Sequence, residues 1–228
     1  MKIGFSGIEL PEGKVKYLDE KLEALAAKDN PKKVSPYFAE FIRDEFIQCD
    51  AIVVPPEGIL DVLINDLDQV ETRIALADDE EKQLLQKCLE ILEAETPICD
   101  GGFTAAETAI LSSLSLYSVK AVAQVAADTG VNEVIRLTLA KAGQMFFYTS
   151  GPQESHAWLV PQGSDIVSCA GKIHSDFGRG FIKGDVVSHE DYMSCHNFND
   201  CKSKGVAKLV DRDYIVLPDE VIEIRFSV

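Results

Sequence analysis

Gly7 and the pair Gly13-Lys14 are the first residues of this chain whose types and spacing could do chemistry. Lys2 to Ser6 reads as a strand, the glycine-bearing segment as a loop, and Val15, Leu18, Leu22 and Leu25 as the apolar face of a helix opening at Gly13-Lys14. Strand, loop and helix in that order is the layout of a phosphate-binding loop. There, backbone N–H groups and a lysine cradle the phosphates of ATP or GTP, and a Ser or Thr hydroxyl holds Mg²⁺. Here the glycines stand one residue too far apart, Val15 occupies the hydroxyl position, and Glu9 and Glu12 bring negative charge to where phosphate should be received. These departures favour an ordinary strand-to-helix loop. The alternative is weak binding of ATP or GTP with Mg²⁺ through Gly7, Gly13 and Lys14.

Other clusters read as follows. His189, Cys195, His196 and Cys201 fall in one short stretch, but the adjacent Cys195-His196 pair does not have the spacing by which zinc ligands converge, so no metal site is expected. His156, His174 and Asp176 are an acid–base set only on paper; fixing a turn and capping a short helix is the favoured role, and no catalytic residue is assigned. Arg179, Phe181, Lys183 and His174 gather around a glycine hinge. An aromatic interleaved with cations can bind RNA or a partner peptide, whereas an inward-facing Phe181 with solvated cations is the competing reading.

The elements that must position these groups divide at Gly143. Residues 1–143 alternate strand and helix signals: a helix from Pro36 to Cys49, a strand at Asp50–Val54, helices at Ile59–Arg73 (apolar at Leu60, Leu63, Ile64, Leu67 and Val70), Asp79–Glu95 and Thr104–Leu116, a strand at Ser118–Val125 and a helix at Val131–Ala142. Residues 144–228 carry period-two runs at Met145–Thr149, Ser155–Val160, Phe181–Val187, Asp213–Val216 and Val221–Phe226, with one short helix between strand pairs. This predicts an α/β domain over 1–143 and a small α+β domain over 144–228. Cys49, Cys88 and Cys99 read as core or helix positions. The formal charge of −16 argues against a broad nucleic-acid surface, so any RNA contact needs a local basic patch. No apolar run approaches a membrane span, no signal-peptide pattern precedes Lys2, and six cysteines without close pairing fit reduced thiols; a cytoplasmic protein is expected.

Phe146-Phe-Tyr-Thr-Ser-Gly-Pro152, Ala157-Trp158, Gly163, Ala170-Gly171, Ile173-His174-Ser-Asp-Phe177, Gly180-Phe-Ile182, Asp213-Tyr-Ile-Val216 and Arg225-Phe226 together resemble the C-terminal TGS domain of the YchF family, the Obg-like P-loop ATPases. The resemblance covers that domain in order and implies a β-grasp fold. Upstream it continues in weaker form through Phe38–Arg43, Cys49–Val53, Ile64–Arg73, Val134–Leu137 and Gly143 with Phe146-Phe147. By this resemblance the first part is a truncated P-loop-like three-layer α/β domain with a helical insertion. The γ-phosphate switch and the metal-side Asp-x-x-Gly turn are missing between Lys28 and Val34. The family's base-reading Asn-x-x-Glu falls on Gln124 and Ala127, of which only Gln124 can still bond a base edge.

The expected function is therefore a non-hydrolysing binding or regulatory module acting through its TGS domain on RNA, a ribosome or a protein partner; the alternative is a divergent ATP- or GTP-binding protein with weak hydrolysis. Three parallel strands are expected at Lys2–Ser6, Ala51–Val54 and Val119–Val125, with Lys2–Ser6 left at a sheet edge. Either the Pro36 helix covers that edge or a second copy pairs with it, and the homodimer is favoured.

Overall fold

Ala51-Ile-Val-Val54 is buried along its whole length, as only an interior strand of a sheet covered on both faces can be. It belongs to a chain whose residues 1–227 are described by a computed structural model. In order these form strands β1 (Lys2–Phe5) and β2 (Gly13–Lys16), helix α1 (Glu20–Asp29), strands β3 (Lys33–Ser35), β4 (Phe38–Arg43) and β5 (Ala51–Val54), helices α2 (Ile59–Ile74), α3 (Asp79–Glu93) and α4 (Ala105–Ser112), strand β6 (Ala121–Gln124) and helix α5 (Val131–Lys141). There follow strands β7 (Gln144–Thr149) and β8 (Glu154–Pro161), helices α6 (Ile166–Ile173) and α7 (Ser175–Arg179), strand β9 (Phe181–Ser188), helices α8 (His189–Met193) and α9 (Phe198–Ser203), and strands β10 (Lys208–Val210) and β11 (Glu220–Phe226). Two units result: Met1–Val15 with Phe38–Ala142, and Lys16–Tyr37 with the chain from Gly143 onward.

The first unit is α/β, with a five-stranded sheet ordered β2-β4-β1-β5-β6. β1 runs parallel to β4 on one side and to β5 on the other, and β5 runs parallel to β6. Two expectations fall together here. Phe38–Arg43 is a strand, not part of a helix, and it pairs with β1 along Lys2 to Phe5. Consequently β1 is central and has no open edge, so the argument that favoured a homodimer loses its premise. Gly4 in β1 is required by a close approach: a Cβ there would lie 2.2 Å from the carbonyl oxygen of Glu45.

The helices of this unit pack Val62, Leu63 and Val70 of α2, Leu85, Cys88 and Leu92 of α3 and Leu111 of α4 with Ile52, Val54 and Val122 of the sheet. Leu60 and Ile64, expected inside, face outward. The buried stripe runs instead through Ile59, Val62, Leu63, Asp66 and Val70. Asp66 is tolerated because its two oxygens accept the backbone N–H groups of Tyr117 and Ser118, each at 2.7 Å. Burial still pushes its carboxyl above the ordinary value. Thr104 and Glu107 close the expected capping box on α4. Cys49 and Cys88 are buried, and Cys99 is exposed in a one-turn helix, Ile98–Asp100.

The second unit holds a mixed six-stranded sheet ordered β10-β9-β11-β7-β8-β3. Neighbouring residues Phe147/Tyr148, Val186/Val187 and Ile222/Val221 enter two separate cores, as the pleat requires. One core packs on α6 through Ile166, Cys169 and Ala170; the other packs on α1, α8 and α9 through Leu22, Leu25, Tyr192, Phe198 and Cys201. Asp213–Val216 is not a strand; it contributes a single bridge, Asp165↔Ile215. The division at Gly143 is also not one of sequence continuity, because residues 16–37 pack with the second unit. A tyrosine hydroxyl fastens each end of α1. The N-cap Asp19 accepts from Tyr148 at 2.8 Å, and Asp29 accepts from Tyr192 at 2.8 Å.

Candidate functional site

The phosphate-loop candidates sit in the first unit. Gly7, with φ of 70°, turns the chain after β1. A Cβ on it would lie 3.0 Å from Cδ of Pro55, so the loop and the end of β5 are already in close contact. Ile8 and Leu10 are buried and draw the loop onto the sheet. Gly13 and Lys14 then lie exposed on strand β2, not at the start of a helix. The chain's next helix, α1, begins at Glu20 and is capped by Asp19. Gly13-Lys14 therefore does not open a helix whose first N–H groups could receive phosphate. Arg43, at the end of β4, takes Glu12 at 3.0 Å and Glu9 at 3.3 Å, and these carboxylates hold its guanidinium above its ordinary pKa. Gln124 ends β6 at the opposite edge of the sheet from β2, a distance of roughly 19 Å at about 4.8 Å per strand. Lys14 and Gln124 are not brought together.

The surface candidates lie in the second unit and separate by direction. Phe181 is 5% exposed and belongs to the core with Ile166 and Val186, so it offers no stacking platform. His174 caps α7, its Nδ1 accepting from the N–H of Asp176 at 3.1 Å. Arg179 pairs with Asp176 and is 75% exposed; Lys183 pairs with Asp211. His156 stands apart on β8, stacked on Trp158 at 3.6 Å between ring centroids; burial lowers its pKa against the pull of Glu154. Cys195 and Cys201 are buried thiols in the core beneath α8 and α9, and burial, with Cys195 beside it, pushes Cys201 up to about 12. Among the described residues no three His, Cys, Asp or Glu side chains converge as metal ligands would.

One feature of this unit was not foreseen from the sequence. β7 ends at Thr149, while its parallel neighbour β11, paired to it at Val221↔Tyr148, continues to Phe226. The space beside Ile222–Ile224 that a longer β7 would fill is a slot of about 780 Å³. Ile173 and Phe177 flank it on one face of the sheet, Tyr192 and Phe198 on the other. Its polar end is built around Asp29, whose side chain is 7% exposed. That carboxylate accepts from Ser150 Oγ at 2.6 Å, Tyr192 Oη at 2.8 Å and Lys28 Nζ at 3.0 Å. Lys28 lies 3.9 Å over the Tyr192 ring and donates to the carbonyl of His196 at 3.2 Å. Burial, reinforced by Asp29, drives the Tyr192 hydroxyl far above its ordinary pKa, so it stays a donor. Lys28 and Asp29 are remote in sequence from β7 and β11, and no local pattern marks them; the Ser150-Gly-Pro152 stop after a strand was the one legible hint.

Comparison with known proteins bears on both units. A family profile for the C-terminal domain of YchF GTPases, described as a protein of unknown function (DUF933), matches residues 145–227. The ribosome-binding ATPase YchF of Bacillus subtilis (strain 168) is 35% identical over 101 residues, which are 44% of this chain and 28% of the relative. The Obg-like ATPase 1 of Pongo abelii is 34% identical over 100 residues, 44% of this chain and 25% of the relative. The match thus spans little more than a quarter of these relatives' length. The solved structure of the Schizosaccharomyces pombe YchF GTPase superposes with a TM-score of 0.81 over 99% of this chain and 97% of that one, at 15% identity, a likeness of fold.

Proposed function

We propose, from the premise that the chain is a relative of the YchF/Obg-like ATPases carrying that family's C-terminal (TGS) domain at residues 145–227, that it is a binding module independent of nucleotide. It engages ribosomes through the second unit and hydrolyses neither ATP nor GTP. The observation that supports this reading is the course of the chain after β1: it passes through a packed loop into strand β2, so Gly13-Lys14 has no helix behind it. Phosphoryl transfer depends on positioning and on neutralising charge. A loop lacking both the helix N-terminus and a hydroxyl at Val15 supplies little of either. The Bacillus subtilis relative is named a ribosome-binding ATPase, and the segment matched by the family profile supplies most of the residues that line the open slot. On this reading the slot, the exposed His174 and Arg179 and the half-buried Lys183 meet RNA or protein of the ribosome, and the protein works in the cytoplasm. Among the described residues no helix is long and apolar enough to cross a membrane.

The test is direct. The purified chain should release no phosphate from Mg-ATP or Mg-GTP, and neither nucleotide should raise its melting temperature, because a ligand that binds the native state must stabilise it. Phosphate release that disappears in Lys14→Ala would overturn the reading and establish a divergent nucleotide hydrolase.

A further inference from the structure

We infer that Cys195 and Cys201 are a reversible dithiol–disulfide pair, a modification site oxidised by a small-molecule disulfide of the glutathione class. The inference does not depend on the ribosome reading and holds whether or not that reading does.

The fold brings the two sulfurs together. Cys195 follows α8, and its N–H donates to the carbonyl of Tyr192 at 3.1 Å. Asn197 then caps α9 by accepting from the N–H of Asp200 at 3.1 Å, and α9 carries Cys201 back into the same core. There the two thiols are hydrogen-bonded neighbours. The second unit's third cysteine, Cys169, belongs to the core on the other face of the sheet, and Cys49, Cys88 and Cys99 belong to the first unit. Closeness of the sulfurs is the first requirement for a disulfide.

The two thiols differ in the way that exchange needs. Ser194 and His196, on either side of Cys195, are exposed, so only the Cys195 side chain is turned inward at a surface turn. The helices around it are short, five residues for α8 and six for α9, and short helices open locally at small cost. Cys195 is therefore the thiol that meets the small disulfide. Cys201 is fully buried, and burial, with Cys195 beside it, pushes its thiol up to about 12. It stays protonated until Cys195 has reacted, which removes that ionisable neighbour; Lys28 is the positive charge that favours its thiolate. Lys28 also donates to the carbonyl of His196 at 3.2 Å and Lys204 to that of Ser194 at 3.1 Å, while each lysine keeps its own carboxylate, Asp29 and Asp200. The Cys195 turn is thus anchored on both sides and returns to Cys201 after opening.

The exchange runs in two steps. Cys195 gives its proton to solvent and attacks one sulfur of the small disulfide. That S–S bond breaks, one small thiolate leaves and takes a proton from solvent, and a mixed disulfide remains on Cys195. Cys201 then gives up its proton and attacks the Cys195 sulfur, and the second small thiol leaves protonated. Two protein S–H groups become one S–S bond, and one small disulfide becomes two thiols. In a reducing compartment such a bond is transient, which suits a sensor of the thiol pool.

The probe is oxidised glutathione added to the full native chain, followed by blocking of free thiols and mass mapping of the cysteine peptides. The map should show Cys195 joined to Cys201, with Cys169 free and no glutathione on the pair, and dithiothreitol should restore both thiols. Cys201→Ser should instead retain one glutathione on Cys195, because the resolving thiol is gone. Cys195→Ser should leave Cys201 unmodified. The wild-type map stands even if a variant fails to fold. Both thiols still free at equilibrium, a stable glutathione adduct on wild-type Cys195, a bond from either cysteine to a different one, or oxidation seen only in urea would each overturn the inference. The last result would make both thiols inert core residues.

Discussion

In the first unit the loop after β1, at the carboxyl end of a parallel strand, where open α/β sheets bind their ligands, is packed against its neighbours. Gly7 lies against Pro55, Ile8 and Leu10 are buried, and Arg43 is held by Glu9 and Glu12. In the second unit β7 stops early and the space beside β11 stays open, although the polar groups around it are satisfied. Their buried carboxylates differ in the same sense. Asp66 is met by two backbone N–H groups and lies sealed under helices; Asp29 is met by side chains that border the slot. The loop after β1 is thus packed against its neighbours, while the second unit keeps an organised opening.

The strongest way to break this contrast is at Asp29. Asp29→Ala leaves the Tyr192 and Ser150 hydroxyls and the Lys28 amine without their shared partner, and should destabilise the second unit by about 3 kcal/mol. Tyr192→Phe removes one hydrogen bond and should cost about 1 kcal/mol. Urea denaturation read together with amide exchange over α1 measures both; unchanged exchange there would mean that the network does not hold residues 16–37 in place.

Acid should separate the two units next. Burial raises the Asp66 carboxyl above the ordinary 3.8, against the hydrogen bonds from Ser118 and Tyr117. Its folded form binds a proton more readily than the unfolded form, so its contribution to stability grows as pH falls through the raised value and is complete below 3.8. At Asp185 burial also pushes upward, but the hydrogen bonds from Arg225 and Lys202 prevail and its carboxyl is lowered from 3.8. Its contribution is complete above 3.8 and is lost as pH falls through the lowered value. As pH falls below 3.8, followed by amide exchange, the second unit should therefore lose protection before the first, and Asp185→Asn should remove much of that acid sensitivity. Simultaneous loss in the two units, unaffected by this substitution, would erase the distinction.

The smallest effect should come from Arg179→Ala combined with Lys183→Ala. Both residues are in surface ion pairs, which contribute little to stability, so the fold should be unchanged and ribosome binding should fall only a few-fold. A complete loss of binding would move the interface from the slot to this rim.

The second unit was the more legible in sequence because its strands run close to period two: Val221 to Phe226 and Phe181 to Val187 form strands as expected. In the first unit local pattern misled. Phe38-Ala-Glu-Phe-Ile-Arg43 has apolar residues at helical spacing as well as at strand positions, and its parallel pairing with the distant β1 decides for the strand. Val15 to Leu25 reads as one helix, but Asp19 caps α1 from inside that run, so its first part is free to become β2. Of the site, His174 and Arg179 were legible as exposed polar residues. Phe181 was misplaced because β9 turns it inward. The slot was invisible, since it depends on where one strand ends beside another and on Lys28 and Asp29 arriving from over a hundred residues upstream.

The central claim, binding through the second unit without nucleotide, is tested most directly by co-sedimenting the purified chain with ribosomes in the presence and absence of Mg-ATP. The account predicts the same pelleted fraction in both conditions, no change in Lys14→Ala, and a fraction lowered a few-fold in Arg179→Ala combined with Lys183→Ala. Pelleting that requires Mg-ATP and is lost in Lys14→Ala would contradict it.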